Sequence, residues 1–200
     1  MENKITINFI IPIGKDCKIG KFLKANDLKK TSYPFDWLFT EADQTIIPII
    51  LHDNFKDFLN TDFHYTISEK TSGHKLYDTN FAMFRHHNIL DENSLNYYKR
   101  CVNRFLEIHK IDSPKLYIID IDELENIVKV IEYINKVSNN FHIFVISKNK
   151  KYEKELSKEN VHVGHFGFLR DLYHFDLIED TNLIINERSK GHDRFDRCEK

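Results

Sequence analysis

A cysteine at the junction between a predicted strand and a predicted helix is the first candidate for chemistry. Residues 5–13 form a β-rich apolar run that ends at Gly14, and Asp16 then offers an N-cap for a helix with Cys17 in its first turn. A thiol in the first turn of a helix lies at the positive end of the helix dipole, which favours the nucleophilic thiolate. A small buried apolar role suits the same position, so a purely structural Cys17 is the alternative.

Two adjacent histidines in the string FRHHN are the second candidate. His86 and His87 are followed by Asn88. Adjacent residues of a strand point to opposite faces, so only one imidazole would face a shared cleft, and the pair makes a poor metal site. A neutral imidazole near pH 7 accepts a thiol proton, and a neighbouring carboxylate or amide fixes its tautomer. Because the chain contains 11 histidines, chance proximity is the alternative explanation.

Two aspartates after an apolar run are the third candidate. Asp120 and Asp122 stand in the string LYIIDIDE. Two carboxylates at the carboxyl end of a strand suit Mg²⁺ or Mn²⁺ bound with a nucleotide-sugar or phosphoryl substrate. The structural alternative is that the strand ends at Asp120 and that Asp122 caps the helix that follows.

Three apolar runs indicate the elements that position these residues: residues 5–13, 115–120 and 141–147. Runs with so few charges are typical of parallel strands buried on both faces. The second and third runs flank the amphipathic segment ELENIVKVIEYINKVS, which predicts a strand–helix–strand unit with a crossover connection. We therefore predict an α/β fold of three layers, with a mostly parallel central sheet that holds all three runs and helices on both faces.

The remaining segments predict smaller elements around this sheet. Weak alternation over residues 63–84 predicts two short strands or a hairpin around Ser72-Gly73. Residues 94–109 carry an apolar stripe at helical spacing, and residues 170–180 predict a short helix. We expect one domain over residues 1–190 and a charged C-terminal tail over residues 191–200.

Composition excludes several classes of protein. With 200 residues, 41% hydrophobic and 13% aromatic, the chain is long and apolar enough to fold around one core. Because 29 basic side chains nearly balance 31 acidic ones, we expect no nucleic-acid partner. The three widely spaced cysteines, Cys17, Cys101 and Cys198, form no disulfide framework. An odd cysteine count and the lack of a long apolar span or leader predict a cytoplasmic protein without a membrane span.

An ordered set of strings resembles a known family. They are IPIGKDCKIGKFLK, SYPFDWLF, NFKDFLN, FRHHN and YKRCVNRFLEI. Together they resemble the putative papain-like cysteine peptidase family, a domain family of unknown function, over residues 5–110. The Pro34-Phe35-Asp36-Trp37 string and its spacing from Cys17 are the most specific part.

The resemblance implies roles for individual residues. Cys17 matches the presumed nucleophile, and His86 matches the histidine. His87 stands where relatives commonly carry an aspartate, so Asp36 and Asn88 remain the two candidates for orienting the imidazole. The implied substrate is a peptide or amide, and no cofactor is needed. For the fold, the strand–helix–strand unit favours a Rossmann-like layered sheet over a papain-like half-barrel.

The leading functional prediction is a cysteine-dependent hydrolase, with the sulfur of Cys17 within roughly 4 Å of an imidazole nitrogen of His86. Backbone N–H groups around Asp16 and Cys17 would bind the oxyanion. Two alternatives remain: a metal-dependent glycosyl- or nucleotidyl-transferase, which would use Asp120 and Asp122, and a binding module with an aromatic surface over residues 33–39. We also expect Trp37 to be buried and Asp36 to be hydrogen-bonded, because burial without partners would strip the carboxylate of its hydration.

Overall fold

The strands that carry the apolar runs form one parallel sheet. The computed structural model describes residues 5–41, 43–77, 82–147, 149–156, 158–164 and 183–185. Its strands are β1 (Ile5–Ile7), β2 (Phe9–Gly14), β3 (His64–Ser68), β4 (Thr71–His74), β5 (Lys115–Asp120), β6 (Phe141–Ile146), β7 (Val161–Gly164) and β8 (Leu183–Ile185). Four of them form a parallel sheet in the order β2-β5-β6-β7, which confirms that the three runs share a sheet.

Helices cover both faces of this sheet. They are α1 (Lys18–Ala25), α2 (Ile46–His52), α3 (Glu92–Ile108), α4 (Leu124–Val137) and α5 (Lys150–Leu156), with short 3-10 turns at Pro34–Trp37 and Thr61–Phe63. Alternate residues of β5 enter different cores: Tyr117 and Ile119 pack with α2, α3 and α4, whereas Leu116 and Ile118 pack with α1. The predicted three-layer α/β fold is therefore confirmed.

The first run is two strands rather than one. β1 pairs in parallel with β8, outside the four-stranded sheet, and Asn8 separates it from β2. The amide N–H of Asn8 donates to the carbonyl oxygen of Pro114 at 2.9 Å, at the entrance to β5. β2 is an edge strand of the four, which is where Pro12, with no N–H to donate, is tolerated.

The hairpin occurs where predicted, but its turn does not. β3 and β4 pair antiparallel, and Ser72 and Gly73 lie inside β4 rather than in the turn, which falls at residues 69–70. Gly73 is opposite Tyr65, and a Cβ at Gly73 would lie 2.3 Å from Cζ of the tyrosine ring. The glycine therefore serves close packing of an aromatic ring rather than a chain reversal.

The FRHHN segment is not a strand. Phe84 forms a single bridge with Ser72, and the residues that follow it are irregular. The predicted helix over residues 170–180 and the tail over residues 191–200 lie outside the described residues. Among the described helices, none is long and apolar enough to cross a bilayer.

Candidate active site

Cys17 stands at the exit of the first sheet strand, immediately before α1. It is the N-cap residue of α1, one position later than predicted for the cap, and the N–H of Lys21 donates to its carbonyl oxygen at 2.9 Å. Asp16, which precedes the N-cap residue, also caps the helix, because its Oδ1 accepts the N–H of Lys18 at 2.7 Å. The Cys17 side chain is half-buried against the larger core, whereas Cys101 is fully buried.

His86 is exposed and lies against the only tryptophan. The imidazole meets the Trp37 ring edge-on, with 5.9 Å between the ring centroids. Partial burial, with help from the cations Lys21 and Arg85, lowers the pKa of His86. Lys21 belongs to α1, one turn after Cys17, so the electrostatics of His86 and of that helix are linked.

His87 points into a different environment. Its ring stacks on Tyr97, with 5.1 Å between centroids, and burial lowers the pKa of His87 to about 4. The two histidines therefore have separate surroundings, as predicted, although the cause is an irregular loop and not the alternation of a strand.

A two-residue piece of chain connects the Cys17 loop with the His86 loop. The N–H of Thr40 donates to the carbonyl oxygen of Lys15 at 2.7 Å, and the N–H of Phe39 donates to that of Met83 at 2.9 Å. The guanidinium of Arg85 lies 3.3 Å from the centroid of the Phe39 ring. Phe39 was predicted only as part of the aromatic surface of the binding-module alternative, and Thr40 was not a candidate, because a role played by backbone groups leaves no signature in residue type.

Asp36 is buried and partnered, and Trp37 is buried, as the sequence predicted. The Asp36 side chain is 1% exposed; its Oδ2 accepts the N–H of Tyr33 at 2.7 Å and pairs with the Lys29 ammonium at 3.0 Å. The same ammonium lies 4.6 Å from the centroid of the Trp37 ring. Lys29 was missed, because a lysine followed by another lysine in the sequence looks like a solvated surface residue.

Asn88 holds the hairpin to the histidine loop. Its side-chain amide donates to Oγ1 of Thr66 at 3.1 Å, and its Oδ1 accepts the N–H of Leu90 at 3.1 Å. These contacts of Asp36 and Asn88 stabilise local structure, and the orientation of the His86 imidazole by either residue remains a prediction.

The two aspartates after β5 have unequal environments. Asp120 is 7% exposed, and burial raises its pKa to about 6, against the opposing effect of Lys15. Asp122 is exposed; its Oδ2 accepts hydrogen bonds from Nζ of Lys15 at 2.5 Å and from Nε2 of Gln44 at 2.8 Å. Although partial burial opposes them, these hydrogen bonds lower the pKa of Asp122.

No metal site is evident around these carboxylates. In the described part of the chain, no three His, Cys, Asp or Glu side chains are grouped so that they would hold a metal ion. The use of Asp120 and Asp122 as metal ligands stays a prediction.

The four-stranded parallel sheet has Cys17 at its first strand-to-helix turn. The chain belongs to the family of putative papain-like cysteine peptidases, whose sequence profile matches residues 8–151. The family's description places it among the cysteine-type hydrolases, a class that works through a thiol and an imidazole without a cofactor. The four strands β2, β5, β6 and β7 form an open sheet, not a closed barrel. Comparisons with curated proteins and with solved structures give no match.

Proposed function

We propose that this protein cleaves peptide or amide bonds by acyl transfer, with Cys17 as nucleophile and His86 as general base and acid. The imidazole takes the thiol proton, and the sulfur attacks the carbonyl carbon. The amine leaves with that proton, and the acyl group remains on sulfur as a thioester. Water, deprotonated by the same imidazole, then releases the carboxylic acid and restores the thiol.

The observation that carries the proposal is the shared attachment of the two loops. The loop before Cys17 and the loop before His86 are hydrogen-bonded to consecutive residues, Thr40 and Phe39. Backbone hydrogen bonds to one short segment limit the separation of the two loops, which is one condition for Cys17 and His86 to act together. The half-buried thiol is also accessible to a substrate in a way that the buried thiol of Cys101 is not.

The surroundings of His86 suit a base. The lowered pKa favours the neutral imidazole, which is the form that accepts a proton. The edge-on contact with Trp37 would position the ring, and Trp37 is itself held beneath the Lys29 ammonium.

Backbone donors near Cys17 suit an oxyanion. Among the described residues, no acceptor reaches the N–H groups of Asp16 and Cys17, whereas the N–H of Lys18 is bonded to the Asp16 carboxylate. Two free N–H groups beside the attacking sulfur would stabilise the negative charge that develops on the carbonyl oxygen.

Thiol labelling tests the nucleophile and its base. The experiment uses iodoacetamide at pH 6 on a Cys198→Ser background, with the modified cysteine located by mass spectrometry. We expect labelling at Cys17 and not at Cys101, and slower labelling in His86→Ala. His87→Gln is the matched control, because it changes the adjacent imidazole and should leave the rate unchanged.

Peptide hydrolysis tests the reaction itself. On a mixture of fluorogenic peptides, Cys17→Ala should abolish turnover, and His86→Ala should lower kcat/KM by about 100-fold or more. A Cys17 labelling rate that is indifferent to His86, together with turnover that survives Cys17→Ala, would overturn the proposal. Thermal unfolding of each variant verifies that it is folded.

A further inference from the structure

A cavity of about 450 Å³ opens beside the Cys17 loop, at the carboxyl ends of β2, β5 and β6. Lys15 and Lys18, which flank Cys17, line one side of it. Asp120 and Asp122 line the side that follows β5. A cavity of this size accommodates a side chain or a small ligand.

The charges in and around this cavity do not cancel. Lys15 pairs with Asp122, and Lys18 pairs with Asp16, so each lysine already has its own carboxylate. Asp120 is the acidic residue of the cavity lining that belongs to neither pair. It is more than nine-tenths buried, it lines the cavity, and no hydrogen-bond donor among the described residues reaches its carboxyl group. The Asp120 carboxylate therefore faces the cavity without a hydrogen bond or a close ion pair to any described residue, and Lys15 and Lys18 act on it only by longer-range electrostatics.

We propose that this cavity is a recognition pocket for a substrate that carries a primary ammonium group, with the Asp120 carboxylate as its acceptor. The inference rests on the proposed function, because the pocket adjoins the loop of the presumed nucleophile and would select the substrate. A buried carboxylate that accepts no hydrogen bond costs free energy, and an ammonium ligand offsets that cost by pairing with it.

The rest of the lining suits the stem of such a ligand. Ile146 provides an apolar surface at the end of β6, and the Tyr152 ring stands on α5. The Tyr152 hydroxyl donates to the carbonyl oxygen of Asp122 at 3.0 Å, which fixes the ring in the cavity wall. Methylene groups pack well on such surfaces while the charged end reaches a carboxylate, as in a lysine side chain.

Ligand titration tests the pocket without relying on turnover. The protein is Cys17→Ala, the probe is Nα-acetyl-lysine amide, and the readout is the shift of backbone amide signals in NMR spectra. We expect saturable shifts at Ser147 and Asn149, which line the cavity. The neutral probe Nα-acetyl-norleucine amide has a similar stem and should bind at least tenfold more weakly.

Two variants assign the effect to Asp120. Asp120→Asn in the Cys17→Ala protein should raise the dissociation constant for Nα-acetyl-lysine amide at least tenfold. Asp62→Asn, at an exposed aspartate outside the cavity lining, should leave it unchanged. Alanine amide, with its ammonium on the main chain, distinguishes an amino-terminal substrate from a lysine side chain. Binding of either amine supports the pocket.

Any of three outcomes would overturn the proposal of an ammonium-binding pocket. They are no binding of either amine, binding unaffected by Asp120→Asn, and binding of Mg²⁺ or Mn²⁺ that displaces the amine. The last outcome would favour the metal-dependent alternative for Asp120 and Asp122. The titration measures binding in Cys17→Ala, which lacks the proposed nucleophile, so its result does not depend on turnover. A failure to bind amines can therefore be told apart from a failure of the labelling and hydrolysis tests.

Discussion

At the scale of single residues, the Lys29–Asp36 pair is the most deeply buried ion pair among the residues that the structure describes. The two side chains are 3% and 1% exposed, and both border the Trp37 region against which His86 packs. A buried pair contributes little net stability, but the loss of one partner leaves an uncompensated charge in the core. We therefore regard the pair as support for the 3-10 turn that carries Trp37.

Breaking this pair should destabilise the protein strongly. Lys29→Met should lower the free energy of unfolding by about 3 kcal/mol or more, because the Asp36 carboxylate then loses its cation. The double variant Lys29→Met/Asp36→Asn should lose less, since an amide oxygen still accepts the N–H of Tyr33. Urea unfolding measures both variants. Lys110→Met, which breaks the exposed pair with Glu107, is the matched control and should cost at most about 1 kcal/mol.

Asp120 makes the stability depend on pH. Burial raises the pKa of the folded-state carboxyl group to about 6, from an ordinary value of 3.8, with Asp16 and Asp122 adding to the effect and Lys15 and Lys18 opposing it. Between about pH 4 and pH 6 the folded protein thus holds a proton at Asp120 that the unfolded chain has released. The contribution of Asp120 to the free energy of unfolding is full below this window and is lost as the pH rises through it.

The neutral variant Asp120→Asn should remove this dependence. At pH 7 it should raise the free energy of unfolding by about 1–3 kcal/mol, and near pH 4 it should change it little. Urea unfolding of the wild-type protein and the variant at both pH values measures the difference. An equal effect of Asp120→Asn at the two pH values would contradict the expectation.

The burial of some of these side chains could be predicted from residue type alone. Asp36 between two aromatic side chains had to be buried with partners, and it is. The partner itself could not be predicted, because Lys29 reaches Asp36 only through the tertiary fold. The same holds for Gln44, which accepts the N–H of Asp122 at 2.7 Å from a position 78 residues earlier.

At the scale of elements, α1 owes its position to a glycine. A Cβ at Gly20 would lie 2.9 Å from the carbonyl oxygen of Asp36 and 3.2 Å from its Oδ1. Only glycine, which has no Cβ, allows the helix that follows Cys17 to approach the Pro34–Trp37 turn this closely.

Gly20→Ala should therefore be destabilising, even though alanine favours a helix by about 1 kcal/mol over glycine. We expect a net loss of about 1–2 kcal/mol from overpacking against backbone that cannot move aside cheaply. Urea unfolding measures the loss, and labelling of Cys17 by iodoacetamide reports whether its loop shifts. Lys136→Ala, on the exposed side of α4, is the control and should lie within about 0.5 kcal/mol of the wild-type protein.

Elements with long apolar patterns were predictable, and those that depend on one contact were not. The strands at residues 115–120 and 141–146 could be predicted from their apolar runs alone. The break at Asn8 depends on Pro114, which is distant in the sequence. The place of Gly73 depends on Tyr65 across the hairpin, so the usual association of glycine with turns was misleading.

At the scale of the whole molecule, stability should be highest at the centre of the parallel sheet. β5 has a strand on each side and is buried along its full length. The β3–β4 hairpin forms its own small sheet, and most of β3 is exposed. Regions with few buried contacts open without global unfolding.

Hydrogen exchange should resolve this difference. We expect the amides of β5 to exchange only through global unfolding, with protection that follows the free energy measured in urea. The β3–β4 amides should exchange faster, through local opening. Equal protection in the two regions would mean that the hairpin unfolds only with the central sheet.

The segment formed by Phe39 and Thr40 has a consequence for how this family can evolve. It joins the Cys17 loop to the His86 loop through main-chain N–H groups, which every residue except proline supplies. Mutational drift at these two positions is therefore limited by local packing and not by the hydrogen bonds themselves. An insertion or deletion between Trp37 and Glu41 is different, because it would change which amide faces which loop. We expect relatives that keep the cysteine and the histidine to vary in the residues of this segment but to preserve its length.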